Sequence, residues 1–480
     1  MNLFSSANEV TEDGQYCVCS VERGCEDKNL LYYCALGAID GNITGPFFTI
    51  LSDLQAPMFK IIRIDVTNPA KENWQTVVPE ATNDVLQWAS RVNKTQMILC
   101  YLKDVKNVLQ VHDFVSGQQL FTLPLEVGSV SQFFGKEDDS EVFFCCESFV
   151  VPGTIYRVDL QKPNPVPEVL WQTKLPGISP SDFETEQVFY ATKDGTKIPM
   201  FVIHRKDVVK SPDCPAILYG YGGFEIPLVP MFGVVPFIMM NEFKGIYAVA
   251  NLRGGSEYGQ KWHQSGMKQN KQNVFDDFIA AAEYLIDQNY TSREKLTISG
   301  ASNGGLLVSA CAIQRPDLFG CVICKVGVLD MLRYHRFTIG EAWVPEYGSA
   351  EEPESFSYLI KYSPLHCFKC LANGQQYPAM LLLTADHDDR VVPSHSLKFI
   401  ANAYYTLKDC KSQRNPIMIS IETKAGHGVG KPTQKLVLFW LLSRYSLLSV
   451  VIGHSRLQIK EWTDIYSFIY RVLNLKFDAS

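Results

Sequence analysis

The sequence lacks an excess of positive charge, a cysteine framework and a basic-then-apolar start. With 44 Lys and Arg against 51 Asp and Glu, the chain carries a net charge of −7 and a pI near 5.8. Phosphate binding relies on a basic surface, so nucleic acid is excluded as the main partner. The opening residues Met1–Glu9 do not have the pattern of a secretory signal, and the expected location is cytoplasmic. The 14 cysteines show no regular spacing, and in that compartment most are expected reduced. Two C-x-x-C pairs, Cys321/Cys324 and Cys367/Cys370, raise the question of zinc. The first lies in an apolar run that reads as a buried strand, whereas structural zinc favours small, turn-rich modules. No metal and no cofactor are therefore expected. The N-x-T sequons at Asn42, Asn93 and Asn289 carry little weight without secretion.

What is present is an ordinary globular composition, 46% hydrophobic and 12% aromatic, over 480 residues. That is enough chain for two or three domains with real cores. The two halves differ in pattern. Residues 1–175 read as strands and turns, with aromatic and β-branched segments at 59–66, 108–114, 141–149 and 154–160. A faint repeat runs through them: apolar strands ending at Asp65, Asp113 and Asp159, 48 and 46 residues apart. This is close to the length of a four-stranded propeller blade, with a β-sandwich as the alternative. An earlier copy has Ala35 in place of the Asp, only 30 residues before Asp65, so one of roughly four blades is expected to be short of chain.

From residue 176 to 480 the pattern becomes α/β. Apolar strands at 215–219, 246–251 and 296–299 alternate with helical stretches at 274–286 and 304–313. Such alternation builds a doubly wound, mostly parallel sheet covered on both faces. The junction is rich in proline (Pro163, Pro165, Pro167, Pro176 and Pro180) and reads as a hinge.

The strongest chemical signal is the run from Leu296 to Gly305, an apolar strand, then G-x-S-x-G, then a helix. In that setting the motif is a nucleophile elbow, with Ser302 at the turn and the Asn303 N–H available to an oxyanion. A serine hydroxyl needs a base, and the base needs an orienting acid. Downstream, an apolar strand runs into Asp386, His387, Asp388, Asp389 and Arg390, and His427 follows in a glycine-rich loop. The order Ser, acid, His is that of the α/β hydrolases. On physical grounds Asp386, Asp388 and Asp389 compete as the acid, and His387 or His395 compete with His427. A solvated charge cluster is the plain alternative for the acids.

Taken together, Tyr219–Phe224 (YGYGGF), Arg253–Gly259 (RGGSEYG), Gly300–Gly305, Asp386–Pro393 and Gly426–Gly428 resemble the prolyl oligopeptidase family of serine peptidases. The resemblance covers nearly all of the second half and, more loosely, most of the first. It implies a β-propeller followed by an α/β-hydrolase domain, and a triad of Ser302, Asp388 and His427. It also implies an oxyanion hole from the Tyr221 hydroxyl and the Asn303 N–H. The proline pocket it implies has Trp343 stacking on the ring, Phe224, Val328, Tyr347 and Val391 as walls, and Arg390 binding a substrate carbonyl. Proline is an apolar ring without an N–H, so an aromatic slot suits it. The expected activity is endopeptidase cleavage of short peptides on the C-terminal side of proline.

Three departures from the family pattern accompany this. The chain is expected to be an N-terminally truncated form, lacking a leading segment and roughly three blades. The short interval from Ala35 to Asp65 is the second departure. The third is an atypical apolar insert at 436–458. It approaches the length of a membrane span, but Arg444 in mid-run opposes one, and a buried or misplaced helix is the leading reading. A catalytically impaired variant acting as a protein-interaction module is the alternative function; a less selective esterase or exopeptidase is another.

Overall fold

The structure is a computed structural model, and it describes residues 4–10, 16–23, 25, 29–35, 47–175, 177–427 and 455–476. The readings made of Asn42, of Pro176 and of residues 436–454 fall outside them.

Four antiparallel sheets follow one another along the first half. Two have three strands: Phe4–Val10, Tyr16–Arg23 and Asn29–Ala35, then Phe47–Ser52, Lys60–Asp65 and Gln75–Val78. Two have four: Val85–Val92, Gln96–Lys103, Lys106–Asp113 and Gln119–Leu123, then Ser129–Phe134, Glu141–Glu147, Thr154–Asp159 and Glu168–Gln172. Each is a meander of sequence neighbours, the unit from which propeller blades are made. The repeated aspartates have a physical cause. Asp65, Asp113 and Asp159 each end the next-to-last strand of their sheet. Their carboxylates accept the backbone N–H of Thr67 (2.8 Å), Ser116 (2.8 Å) and Gln161 (3.0 Å), starting the turn into the last strand. Alanine has no acceptor for such a turn. Between the two four-stranded sheets, Ile98, Cys100 and Val111 pack on Val142, Phe144 and Val158.

The second half is built on one eight-stranded sheet. Its strands are β1 (Phe183–Ala191), β2 (Lys197–Arg205), β3 (Ala216–Tyr219), β4 (Ile246–Ala250), β5 (Leu296–Ala301), β6 (Cys321–Lys325), β7 (Ala379–Ala385) and β8 (Ile417–Glu422). They lie in the order β1-β2-β4-β3-β5-β6-β7-β8. β1 and β2 pair antiparallel, as do β2 and β4, and β3 to β8 are all parallel.

Strand alternation divides the apolar side chains between two cores. Ala216, Leu218, Val322, Cys324, Met380 and Leu382 face helices α2 (Gln272–Asp287), α3 (Asn303–Gln314) and α4 (Ser394–Leu407). Ile217, Cys321, Ile323, Leu381 and Leu383 join the opposite core, with α1 (Pro236–Glu242) and α5 (Ser455–Val472). Burial on both faces explains why these strands read as continuous apolar runs. It also separates Cys321 from Cys324, three residues apart and in different cores, so they have no shared side on which to hold a metal. Of the second C-x-x-C pair, Cys370 is disulfide-bonded to Cys410 instead. Among the described residues, 11 cysteines are unpaired.

The two halves touch through specific contacts. Gln187 Nε2 donates to the Asp104 carbonyl (2.7 Å), the Gln260 N–H to that of Pro57 (3.0 Å), and the Phe232 N–H to the Glu147 carboxylate (3.1 Å). No helix among the described residues is long and apolar enough to cross a membrane.

Candidate active site

In open parallel sheets, binding groups gather beyond the carboxyl ends of the strands. Five loops do so here: Tyr221 follows β3, Ser302 follows β5, Val328 follows β6, Asp388 follows β7 and His427 follows β8. Sites separated by two hundred residues of chain are brought to one edge by strand order alone.

Ser302 sits between β5 and α3 with φ 58° and ψ −115°. That left-handed conformation is costly for a non-glycine residue and is held only where surroundings over-determine it. Here the Ser302 N–H donates to the Lys325 carbonyl (2.9 Å), and the Ser302 carbonyl accepts from Gly305 (3.0 Å), Leu306 (3.2 Å) and Val328 (3.4 Å). The motif's glycine requirement is steric. A β-carbon on Gly304 would lie 2.7 Å from the Gly220 carbonyl oxygen.

Of the competing acids, Asp388 is the buried one. Its Oδ1 accepts the N–H groups of Arg390 (3.0 Å) and Val391 (2.8 Å), and its Oδ2 lies 2.8 Å from His427 Nδ1. Asp386 instead pairs with exposed His387 at 2.7 Å. His395 is buried, its Nδ1 accepts the Asp330 N–H (3.0 Å), and burial pulls its pKa down to about 4. Neither His387 nor His395 therefore shares the setting of His427. With Nδ1–H given to Asp388, the His427 Nε2 is left as an acceptor. Among the described residues, Ser302 Oγ makes no hydrogen bond to His427, so the serine and the His–Asp pair are present but not joined.

The aromatic residues assemble as a group. Phe224 meets Tyr347 edge-to-face at 5.4 Å and Trp343 at 6.4 Å, and Tyr334 stacks on Trp343 at 6.2 Å. Val328 and Val391 are buried in the same core, while Arg390 is exposed beside Asp388. Burial first, and then the charge of Glu346, push the Tyr221 phenol well above its ordinary value, with Arg390 opposing. Tyr221 thus keeps its proton and stays a donor.

Sequence reasoning missed two features. The Asn303 side chain matters as well as its N–H: Nδ2 donates to the Tyr221 carbonyl (2.6 Å), and Oδ1 accepts the Tyr347 hydroxyl (2.8 Å). The second is a buried set of charges. Glu346 Oε2 lies 2.7 Å from His263 Nε2, Glu346 Oε1 lies 3.4 Å from Lys271 Nζ, and His263 Nδ1 lies 3.1 Å from Glu225. These residues come from three separate segments, so no spacing in the sequence announces them. The first half also reaches the site, where the Cys25 N–H donates to the Ala342 carbonyl at 3.1 Å. Burial, Glu346 and Glu225 push the Cys25 thiol up to about 11, which keeps it neutral.

One cluster of potential metal ligands, Glu184, Glu186 and His204, lies on β1 and β2. Glu186 is already engaged by Lys210, by His204 (3.1 Å) and by the Tyr290 hydroxyl (2.8 Å). Those contacts already engage two of the three candidate ligands, Glu186 and His204.

The fold agrees with what the chain is similar to. The model of the prolyl oligopeptidase family matches residues 233–449, and that of the prolyl oligopeptidase N-terminal beta-propeller domain matches residues 38–169. A prolyl endopeptidase of Dictyostelium discoideum is 38% identical over 442 residues, covering 90% of this chain and 54% of the relative. One from Elizabethkingia meningoseptica is 39% identical over 444 residues, covering 89% and 61%. A solved prolyl endopeptidase superposes with a TM-score of 0.85 at 37% identity, covering 99% of this chain and 67% of that one. Prolyl oligopeptidase B from Galerina marginata, bound to a 35-residue hydrolysis and macrocyclization substrate, gives 0.85 at 32%, covering 99% and 66%. The chain thus spans a little over half the length of the first curated relative. With an N-terminal β-propeller domain and a C-terminal α/β-hydrolase domain, it belongs to the prolyl oligopeptidase family.

Proposed function

We propose that this chain hydrolyses short peptides on the C-terminal side of proline, with Ser302 as nucleophile, His427 as base and Asp388 as the orienting acid. The observation that carries this reading is the 2.8 Å contact of His427 with buried Asp388 at the same sheet edge as the strained Ser302 turn. The aromatic group of Phe224, Trp343 and Tyr347, with Val328 and Val391, would receive the proline ring, and Arg390 a substrate carbonyl. We divide the chain functionally at residues 175 and 176, a propeller before and the catalytic domain after.

The chemistry runs in two steps. Ser302 Oγ attacks the proline carbonyl carbon as its proton passes to His427 Nε2, and a C–O bond forms. The Tyr221 hydroxyl and the Asn303 N–H stabilise the oxyanion. The C–N bond breaks as the leaving amine takes the proton from His427. Water then attacks the acyl ester, gives a proton to His427, and Ser302 regains its hydrogen as the acid leaves.

We also propose action in the cytoplasm, supported by the 11 unpaired cysteines among the described residues. The Cys370–Cys410 pair stands against it.

Hydrolysis of a fluorogenic peptide with proline before the scissile bond tests the central reading, with wild type beside Ser302→Ala. Cleavage by wild type and a loss of about 10³-fold or more in the variant supports it. Equal cleavage by both would place the activity elsewhere.

A further inference from the structure

The loop from Tyr221 to Glu225 has a demanding backbone. Gly222 has φ 65°, and Phe224 and Glu225, which are not glycines, both have φ 57°. Two consecutive side-chain-bearing residues in the left-handed region need restraint from outside the loop. The buried charges supply that restraint at three successive points. Lys271 Nζ donates to the Gly222 carbonyl (2.9 Å), Glu346 Oε1 accepts the Phe224 N–H (3.2 Å), and His263 Nδ1 meets the Glu225 carboxylate (3.1 Å). The loop also lies close against its support: a β-carbon on Gly223 would be 2.7 Å from Asn303 Nδ2 and 3.0 Å from Glu346 Oε1.

Glu346 is the centre of this arrangement. It is buried, as are Lys271 and His263. It sits in the short helix Val344–Tyr347, directly before Tyr347 and three residues after Trp343. One carboxylate therefore joins the segment bearing two aromatic walls to the loop bearing the third. We propose that Glu346, with Lys271 and His263, is a positioning residue for proline selectivity: it clamps Phe224 in its left-handed conformation against Trp343 and Tyr347. The proposal rests on the proline-specific reading above.

The protonation states fit. Burial alone would raise the Glu346 carboxyl, but Lys271 and His263 hold it below its ordinary value. Burial would lower His263, but Glu225 and Glu346 raise it to about 9. Burial lowers Lys271, with Glu346 opposing. The groups facing His263 are Glu225 and Glu346; Lys271 shares Glu346, and both carboxylates act on the neutral Cys25 thiol. His263 loses its charge as pH rises past 9, and the clamp weakens there.

The test compares wild type, Glu346→Gln and His263→Gln. Each is assayed for kcat and KM on matched peptides with proline or alanine before the scissile bond, and for labelling of Ser302 by a small fluorophosphonate. In Glu346→Gln we expect the proline-over-alanine ratio of kcat/KM to fall at least about tenfold, mainly through KM for the proline peptide, with labelling slowed far less. In wild type the ratio should fall above pH 9; in His263→Gln it should already be low at pH 7 and flat through pH 9. An unchanged ratio in both variants overturns the clamp while leaving the proposed function standing. So does an equal loss in cleavage of both peptides and in labelling, since that is the result of a purely structural role. If Glu346→Gln does not fold, a wild-type ratio in His263→Gln at pH 7 overturns it alone. A wild type that labels but does not prefer proline overturns both the clamp and the reading on which it rests.

Discussion

The backbone carbonyl of Lys325 accepts the Ser302 N–H at 2.9 Å, so the strained turn hangs from the end of strand β6. The Lys325 side chain points the other way. Its ammonium pairs with Glu461 of α5 and lies 4.5 Å from the Trp462 ring centroid, so one residue ties the Ser302 turn and the C-terminal helix to the sheet. Both charges are mostly buried. We expect Glu461→Gln to cost about 1–3 kcal/mol of stability, because Lys325 is left without its counter-charge. The backbone bond to Ser302 is untouched, so kcat/KM should stay within about threefold of wild type. Denaturant melts beside peptide assays measure both; a large activity loss at unchanged stability would contradict this account.

Asp388 and its neighbours offer a sharp contrast within one loop. Asp388→Asn removes the acceptor that fixes the His427 tautomer and should lower kcat by roughly 10³–10⁴-fold. Asp386→Asn disturbs an exposed pair with His387 while keeping an Oδ1 to accept the Ala425 N–H (3.4 Å), and a change of less than about threefold is expected. Steady-state kinetics on the two variants separate the acids that charge pattern alone leaves equivalent. A greater loss in Asp386→Asn would reverse the assignment.

The Tyr221 hydroxyl makes a simple prediction of its own. Its pKa is held well above the ordinary phenol value by burial and by Glu346, so it remains a donor across the working pH range. Tyr221→Phe should lower kcat on the order of 100-fold with little change in KM, the pattern of an interaction made in the transition state. A rise in KM at constant kcat would instead assign the ring to substrate binding.

Glu257 sets a pH dependence of stability. It is buried, its Oε1 accepts the Leu228 N–H at 3.0 Å, and burial raises its carboxyl from 4.5 to about 7. Between those values the folded state keeps a proton that the unfolded chain has released. Stability must therefore fall as pH rises from 4.5 to 7 and level off beyond, by about 3 kcal/mol from this group. Glu257→Gln keeps the shape without the charge, so it should raise Tm at pH 8 and flatten the slope between pH 5 and 7. A variant less stable than wild type at pH 8 would show that the carboxylate is ionised and satisfied.

How far the sequence foretold this arrangement depends on whether a feature is local. The elbow at Leu296–Gly305 was legible because strand, turn and helix are contiguous and the glycines have steric reasons visible in the motif. The blade repeat was legible for a similar reason, since Asp65, Asp113 and Asp159 each bond residues only two or three positions ahead. The choice of Asp388 was not available from composition. It depends on which carboxylate the turn after β7 buries; charge pattern leaves the three aspartates equivalent, and only the resemblance to the family singled out Asp388. The Cys370–Cys410 bond joins the segment before β7 to the turn just after α4, and spacing gave no sign of it. The Glu346 cluster was invisible because its partners at 225, 263 and 271 meet only after the sheet has formed.

Asn303 contributes a last consequence. Its one amide group holds the Tyr221 carbonyl and the Tyr347 hydroxyl while its own backbone begins the helix behind Ser302. On the proposed reading, turnover and selectivity are therefore mechanically linked parameters. A substitution that reshapes the pocket through Tyr347 pulls on the same amide that steadies the loop bearing Tyr221. Variants selected for a new residue before the scissile bond should lose speed in proportion to how far that amide moves, and restoring speed would require second changes in the loop after β3 rather than in the pocket.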